Sequence, residues 1–137
     1  MVVIKHKITG AALFTSTAAV TLRDAVTEAV ESGASLDGAS LNRASLNRAS
    51  LNRASLYGAS LDGARGIYSF GPIGAEKRLG YAVKHDGGAY VKLGCFWGTQ
   101  EAALAAIAKK YGEGALYAEQ VALACKIVMG DAGNVQT

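Results

Sequence analysis

A five-residue period governs the middle of this chain. Residues 34–63 read Ala-Ser-Leu-Asp-Gly, then Ala-Ser-Leu-Asn-Arg three times, then Ala-Ser-Leu-Tyr-Gly and Ala-Ser-Leu-Asp-Gly. Leu recurs at 36, 41, 46, 51, 56 and 61, and Ala stands two residues before each. Ala64-Arg65-Gly66 begins a seventh unit and loses the pattern. A period of five fits neither a helix nor a strand, whose side chains repeat every 3.6 and 2 residues. In each unit a small and a larger apolar residue alternate with polar ones. Ala and Leu can therefore point inward while the remaining residues turn a corner. Short units of this kind bury their apolar face only by stacking on their neighbours.

The Ala-Ser-Leu-x-x units resemble the pentapeptide repeat family, whose pattern is Ala-(Asp/Asn)-Leu-x-x. The resemblance implies a right-handed quadrilateral β-helix with four units per coil. Ser35, Ser40, Ser45, Ser50, Ser55 and Ser60 depart from the family pattern, but Ser is short and hydrogen-bonding and should be tolerated. Residues i and i+20 are then expected to stack about 4.8 Å apart. This places Leu36 on Leu56, Leu41 on Leu61, Tyr57 over Asp37 and Asp62 over Asn42. Six units make only about one and a half coils, so the flanks must complete the core or the protein must dimerise.

The flanks can supply such a core. Residues 2–8 and 11–17 are expected to form a hairpin turning at Thr9-Gly10. Thr21 suits a helix N-cap, with Leu22, Val26, Ala29 and Val30 at helical spacing, Asp24 in the first turn and Gly33 as the stop. Residues 66–72 read as a loop or short strand. Residues 79–84 and 89–95 read as two strands joined through Asp86-Gly87, a strong hairpin signal. Thr99 and Gly112 bracket one helix, and a second is expected from about 116 to 129, with Leu116, Val121, Cys125 and Val128 near one face. Residues 131–137 read as a frayed tail. The expected fold is mainly β with flanking helices. A short β-helix (34–65) is capped by an N-terminal hairpin and helix (1–33) and a C-terminal hairpin plus two helices (66–137), all in one compact domain.

Thr9-Gly10, Leu13-Phe14, Ala29-Val30, Gly71–Gly74 and Gly94–Gly98 extend the resemblance to small pentapeptide-repeat proteins of tailed phages and prophages. That resemblance implies a genomic setting and no settled activity.

No catalytic constellation emerges. His6 and His85 lack a nucleophile or carboxylate at catalytic spacing, and Asp86 is more simply a turn residue. The glycines form no phosphate-binding loop. Cys95 and Cys125 have no metal-ligand spacing and read as buried thiols of a reducing cytosol in preference to a disulfide. Gly94-Cys95-Phe96-Trp97 is similar to the nucleophile loop of methionine sulfoxide reductases, over four residues only. Phe96 and Trp97 are expected in the core. The protein is accordingly expected to be no enzyme and to need no cofactor or metal. No apolar run approaches a membrane span. Lys5 and Lys7 before Ala11–Phe14 faintly imitate a secretory signal, but polar residues break the stretch, and a cytoplasmic protein of a bacterial host cell is expected.

The basic residues are the more informative group. Arg43, Arg48 and Arg53 hold the same position in three successive units, which puts them on three sides of one coil as a belt. With Tyr57 and Arg65 they are the expected partner-binding residues, since Arg suits carboxylates and phosphates. The simpler reading is a solvated rim that keeps the solenoid soluble. The net charge is only +3, and duplex DNA with a phosphate every ~1.7 Å calls for a denser basic track, so direct DNA binding is not expected. Residues 34–63 carry three Arg against Asp37 and Asp62, which disfavours the acidic DNA mimicry by which some family members bind topoisomerases. The preferred expectation is a phage or prophage protein that binds and modulates a host protein or protein–nucleic acid complex. A defence nuclease complex such as a CRISPR effector is one target class. A structural or assembly role in the virion is the alternative, and a homodimer is among the expected partners.

Overall fold

The turn that closes each five-residue unit sets the architecture of the repeats. The amides of Ala39, Ala44, Ala49, Ala54, Ala59 and Ala64 donate to the carbonyls of Leu36, Leu41, Leu46, Leu51, Leu56 and Leu61, at 2.9–3.2 Å. Each unit thus ends in a four-residue turn, Leu-x-x-Ala, whose third residue has φ between 64° and 73° at Gly38, Arg43, Arg48, Arg53, Gly58 and Gly63. A left-handed third residue after an ordinary second one is the signature of a type II turn. Between turns, Ala and Leu face inward: Leu36, Leu41, Leu46, Leu51 and Leu56 are all buried.

The computed structural model describes residues 1–73, 78–94, 96–112 and 116–130. Cys95, Gly74 and the tail 131–137 lie outside the described residues. The chain divides into two compact units, Met1–Arg65 and Gly66–Thr137.

In the first unit, β1 (Val2–Lys5) and β2 (Ala12–Ser16) form the antiparallel hairpin. Helix α1 (Leu22–Glu31) follows, and Thr21 caps it by accepting from the Asp24 amide at 3.1 Å. Its buried face is Ala25, Val26, Ala29 and Val30. Ser16 is buried and joins hairpin to helix, donating to Glu28 Oε2 at 2.8 Å and accepting from the Ala19 amide at 2.9 Å. The repeats then pair with themselves at a fixed offset. Leu41 and Arg43 amides donate to Ser60 and Asp62 carbonyls, and the Ser60 amide donates back to Ala39. Ser40 bridges Ser60, and Ser45 bridges Arg65, both in parallel. The offset of 20 residues means four units per circuit, as the resemblance to pentapeptide repeats implies. The N-terminal hairpin extends the same ladder on its other side. The Ser40 amide donates to Lys5, the Lys7 amide donates to Gly38, and His6 bridges Ala39.

The second unit is a four-stranded antiparallel meander with two helices on one face. Its strands are β3 (Ile67–Ile73), β4 (Arg78–His85), β5 (Gly88–Leu93) and β6 (Phe96–Thr99), in that spatial order. Helices α2 (Gln100–Tyr111) and α3 (Leu116–Met129) bury Ala103, Ile107, Val121, Ala124 and Cys125 against Phe70, Ala82, Ala89 and Val91. Thr99 caps α2 through the Ala102 amide, and Gly112 ends it at φ 91°.

Three expectations are corrected here. The fold is mixed α/β, not mainly β, because the three helices cover about as many residues as the strands. The C-terminal hairpin is the middle of a larger sheet. Residues 67–73, read from sequence as a loop or short strand, are a strand paired with β4, and the lack of an amide donor at Pro72 is accommodated where the register shifts between Phe70 and Ile73. Leu116 does not share the buried face of α3 but is exposed.

Candidate partner-binding site

The exposed rim of the repeats is built by two adjacent turn positions. At the first, Asp37 Oδ1 accepts from the Tyr57 amide at 3.0 Å and from the Ser55 hydroxyl. Asn42 Oδ1 accepts likewise from the Asp62 amide at 2.9 Å and from the Ser60 hydroxyl. The carboxylate or amide of one circuit therefore holds the turn of the next. Ser, which departs from the family pattern, supplies the second donor.

At the second position stand Gly38, Arg43, Arg48, Arg53, Gly58 and Gly63, all left-handed. Glycine adopts this conformation freely, whereas a side chain crowds its own carbonyl at a cost of ~1 kcal/mol. The three arginines are exposed. Arg43 lies alongside Gly63 of the next circuit: a Cβ there would meet Arg43 Cγ at 3.3 Å. Tyr57 is 86% exposed, with its backbone held by Asp37. Arg65 is exposed too, and its backbone pairs with Ala44 and Leu46. Arg43, Arg48 and Arg53 thus occupy equivalent corners of successive units. Tyr57 belongs to the position before, on the following circuit. The strain at the arginines escaped the sequence reading, though the signal was there: the same position is Gly in the other three units.

A family model described as pentapeptide repeats (8 copies) matches residues 32–65. Residues 32–65 are pentapeptide repeats. No curated protein and no solved structure matches the chain. The pentapeptide-repeat segment thus carries the whole of the family assignment, and the flanking elements stand outside it.

The other candidate residues are dispersed. His6 sits between hairpin and repeats, its Nδ1 accepting from the Ile8 and Thr9 amides at 3.1 and 3.3 Å. Its ring fills the space over Gly38, where a Cβ would come within 2.4 Å of Nε2. Phe96 packs on the helix-side core, but Trp97 does not. Alternation along β6 sends it to the opposite face, where it stacks on Tyr90 at 5.4 Å, with His85 4.4 Å from Tyr90. This aromatic group is invisible until 96–99 is recognised as a strand. Burial pushes the Cys125 thiol up to about 11, which keeps it protonated and unreactive at neutral pH. Among the described residues no group of His, Cys, Asp and Glu could hold a metal ion, and no helix is long and apolar enough to cross a membrane.

Proposed function

We propose that this chain is a non-enzymatic binding module whose repeats form a right-handed quadrilateral β-helix of about one and a half coils. Its working surface is the rim of that helix, with Arg43, Arg48, Arg53, Tyr57 and Arg65 as contacts. The observation that carries this reading is the placement of three exposed arginines in turn positions that favour glycine. An exposed tyrosine beside arginines is the composition of an interface anchor. The partner is a protein or protein–nucleic acid complex of a bacterial host, bound in the cytoplasm by a protein of phage or prophage origin. The phage setting and the choice of a defence nuclease complex, such as a CRISPR effector, draw on sequence resemblance alone. A homodimer would double the basic rim.

The test is affinity capture from bacterial lysate with the intact chain as bait, read by mass spectrometry. A host protein or complex retained by the natural chain, and lost when Tyr57 and Arg65 are replaced by Ala, is the expected result. Retention of nothing, together with recovery of the protein from purified virions, would replace this reading with a structural role in the particle.

A further inference from the structure

The six turns of the repeats are a natural comparison set. All six close with the same Leu-to-Ala hydrogen bond and share the same left-handed third residue. Three of them use Gly, so the turn itself closes without a side chain there. Nor does the ladder between circuits ask for one, since Asp37 makes its bonds to Tyr57 and Ser55 with Gly38 beside it. Arginine is therefore placed at 43, 48 and 53 against the backbone preference.

Solubility does not account for this choice. The position just before each arginine is Asn42, Asn47 or Asn52, none of which has a positive φ. Asn is the side chain that tolerates the left-handed region best, while Arg has no such tolerance. The order Arg-Asn would give the same charge with less strain, although side-chain hydrogen bonds explain why Asn is kept at 42 and 47. The chain nevertheless keeps Asn-Arg in all three units. Among the described residues the Arg43 and Arg53 guanidinium groups make no ion pair.

We infer that the left-handed arginines are a binding device: their guanidinium groups grip the carboxylates of an acidic, flexible polypeptide segment that wraps the repeat coil. This rests on the binding-module reading above and names its partner chemistry. With four units per circuit, 43, 48 and 53 fall on successive corners, and 43 and 53 face opposite ways. A rigid surface reaches at most two neighbouring corners. A flexible acidic chain can reach all three, whereas duplex DNA, with a persistence length of ~50 nm, cannot bend around so narrow a body. The planar fork of arginine matches a carboxylate in two parallel hydrogen bonds, which the point charge of lysine does not.

The experiment uses the full-length chain and two labelled probes, a short oligoglutamate peptide and a duplex DNA of similar charge, at low and physiological salt. Three proteins are compared: the natural chain, a triple Arg→Gly variant at 43, 48 and 53, and a triple Arg→Lys variant. The natural chain is expected to bind oligoglutamate more tightly than duplex. The Gly variant should lose about tenfold or more in affinity while its Tm stays equal or rises by a few degrees, because the turns relax. The Lys variant should bind between the two. A fall in Tm for the Gly variant would show that the arginines serve the fold and would overturn the inference. So would equal binding by the Gly variant, absence of oligoglutamate binding by the natural chain, or preference for the duplex. If lysate capture retains a host protein equally well with the Gly variant, the binding module stands and this inference falls.

Discussion

In the repeats, the bonds between circuits join residues about 20 apart, as from the Leu41 amide to the Ser60 carbonyl. In the C-terminal sheet, β4 and β5 are neighbours joined by the two residues Asp86-Gly87. The first arrangement demands that every unit be alike, because any unit stacks on another. The second lets each strand be different, because only its own neighbours must fit it. The repeats accordingly fill their interior with Leu at one position and Ala at another. The sheet fills its interior with Phe70, Ala82, Ala89 and Val91, each fitted to a particular site. The surface follows the same rule. The third residue of each turn is Gly in three units and Arg in three, so that position of the rim is free to carry arginines. The helix-side face of the sheet has no such freedom.

The comparison is broken first by truncating the repeat interior. Leu46→Ala, at a fully buried position, is expected to cost about 3 kcal/mol in urea unfolding. Loss of less than 1 kcal/mol would mean that the layers collapse onto the gap and the stack is softer than a packed core. The corresponding test in the sheet is overpacking. Gly80 faces Phe70, and a Cβ there would lie 2.4 Å from Phe70 Cζ and 2.7 Å from Leu93 Cδ2. Gly80→Ala should therefore cost about 2 kcal/mol, and a paired Phe70→Leu should recover part of it.

Smaller effects sharpen the contrast. Ser16→Ala leaves Glu28 without its donor and the Ala19 amide without its acceptor, and should lower stability by about 1–2 kcal/mol. Thr21→Ala removes the α1 cap for about 1 kcal/mol. The smallest effect is confined to alkaline pH. The Cys125 thiol titrates near 11 when folded, against an ordinary 9.0. Between these values the unfolded chain sheds the proton and the folded chain keeps it, so stability falls as pH rises above about 9. Below that, the group contributes nothing. Cys125→Ala should remove this share of the alkaline loss, visible as a shallower decline of Tm from pH 9 to 11.

Legibility differed between the two regions for the same reason that their construction does. The i-to-i+20 stacking of Tyr57 over Asp37 and Asp62 over Asn42 could be counted off once the family resemblance supplied four units per circuit. The helix caps at Thr21 and Thr99 were equally plain, because a cap is a local event. Strand β3 reads from sequence as a loop or short strand, since Gly71 and Pro72 blur it, and β6 is not legible, as Gly94 and Gly98 mask it and only its partner makes it a strand. Leu116 matched the helical period yet lies outside, because periodicity marks a face without saying where the cover stops. Trp97 was expected in the core for its place just before a helix, and the pleat of β6 put it on the other side.

The circuit of four units is what the resemblance to pentapeptide repeats implies; from the amino-acid sequence alone follow the five-residue unit, its inward Ala and Leu and the row of arginines. These are determined by chemistry within five residues and by its repetition. The tertiary structure decided which sheet face each aromatic occupies, that the C-terminal hairpin has two further strands, and that the arginines sit in left-handed turns. Pairing partners distant in the chain and the dihedral angle of a closed turn are set by hydrogen bonds between circuits and strands, and no residue carries them by itself.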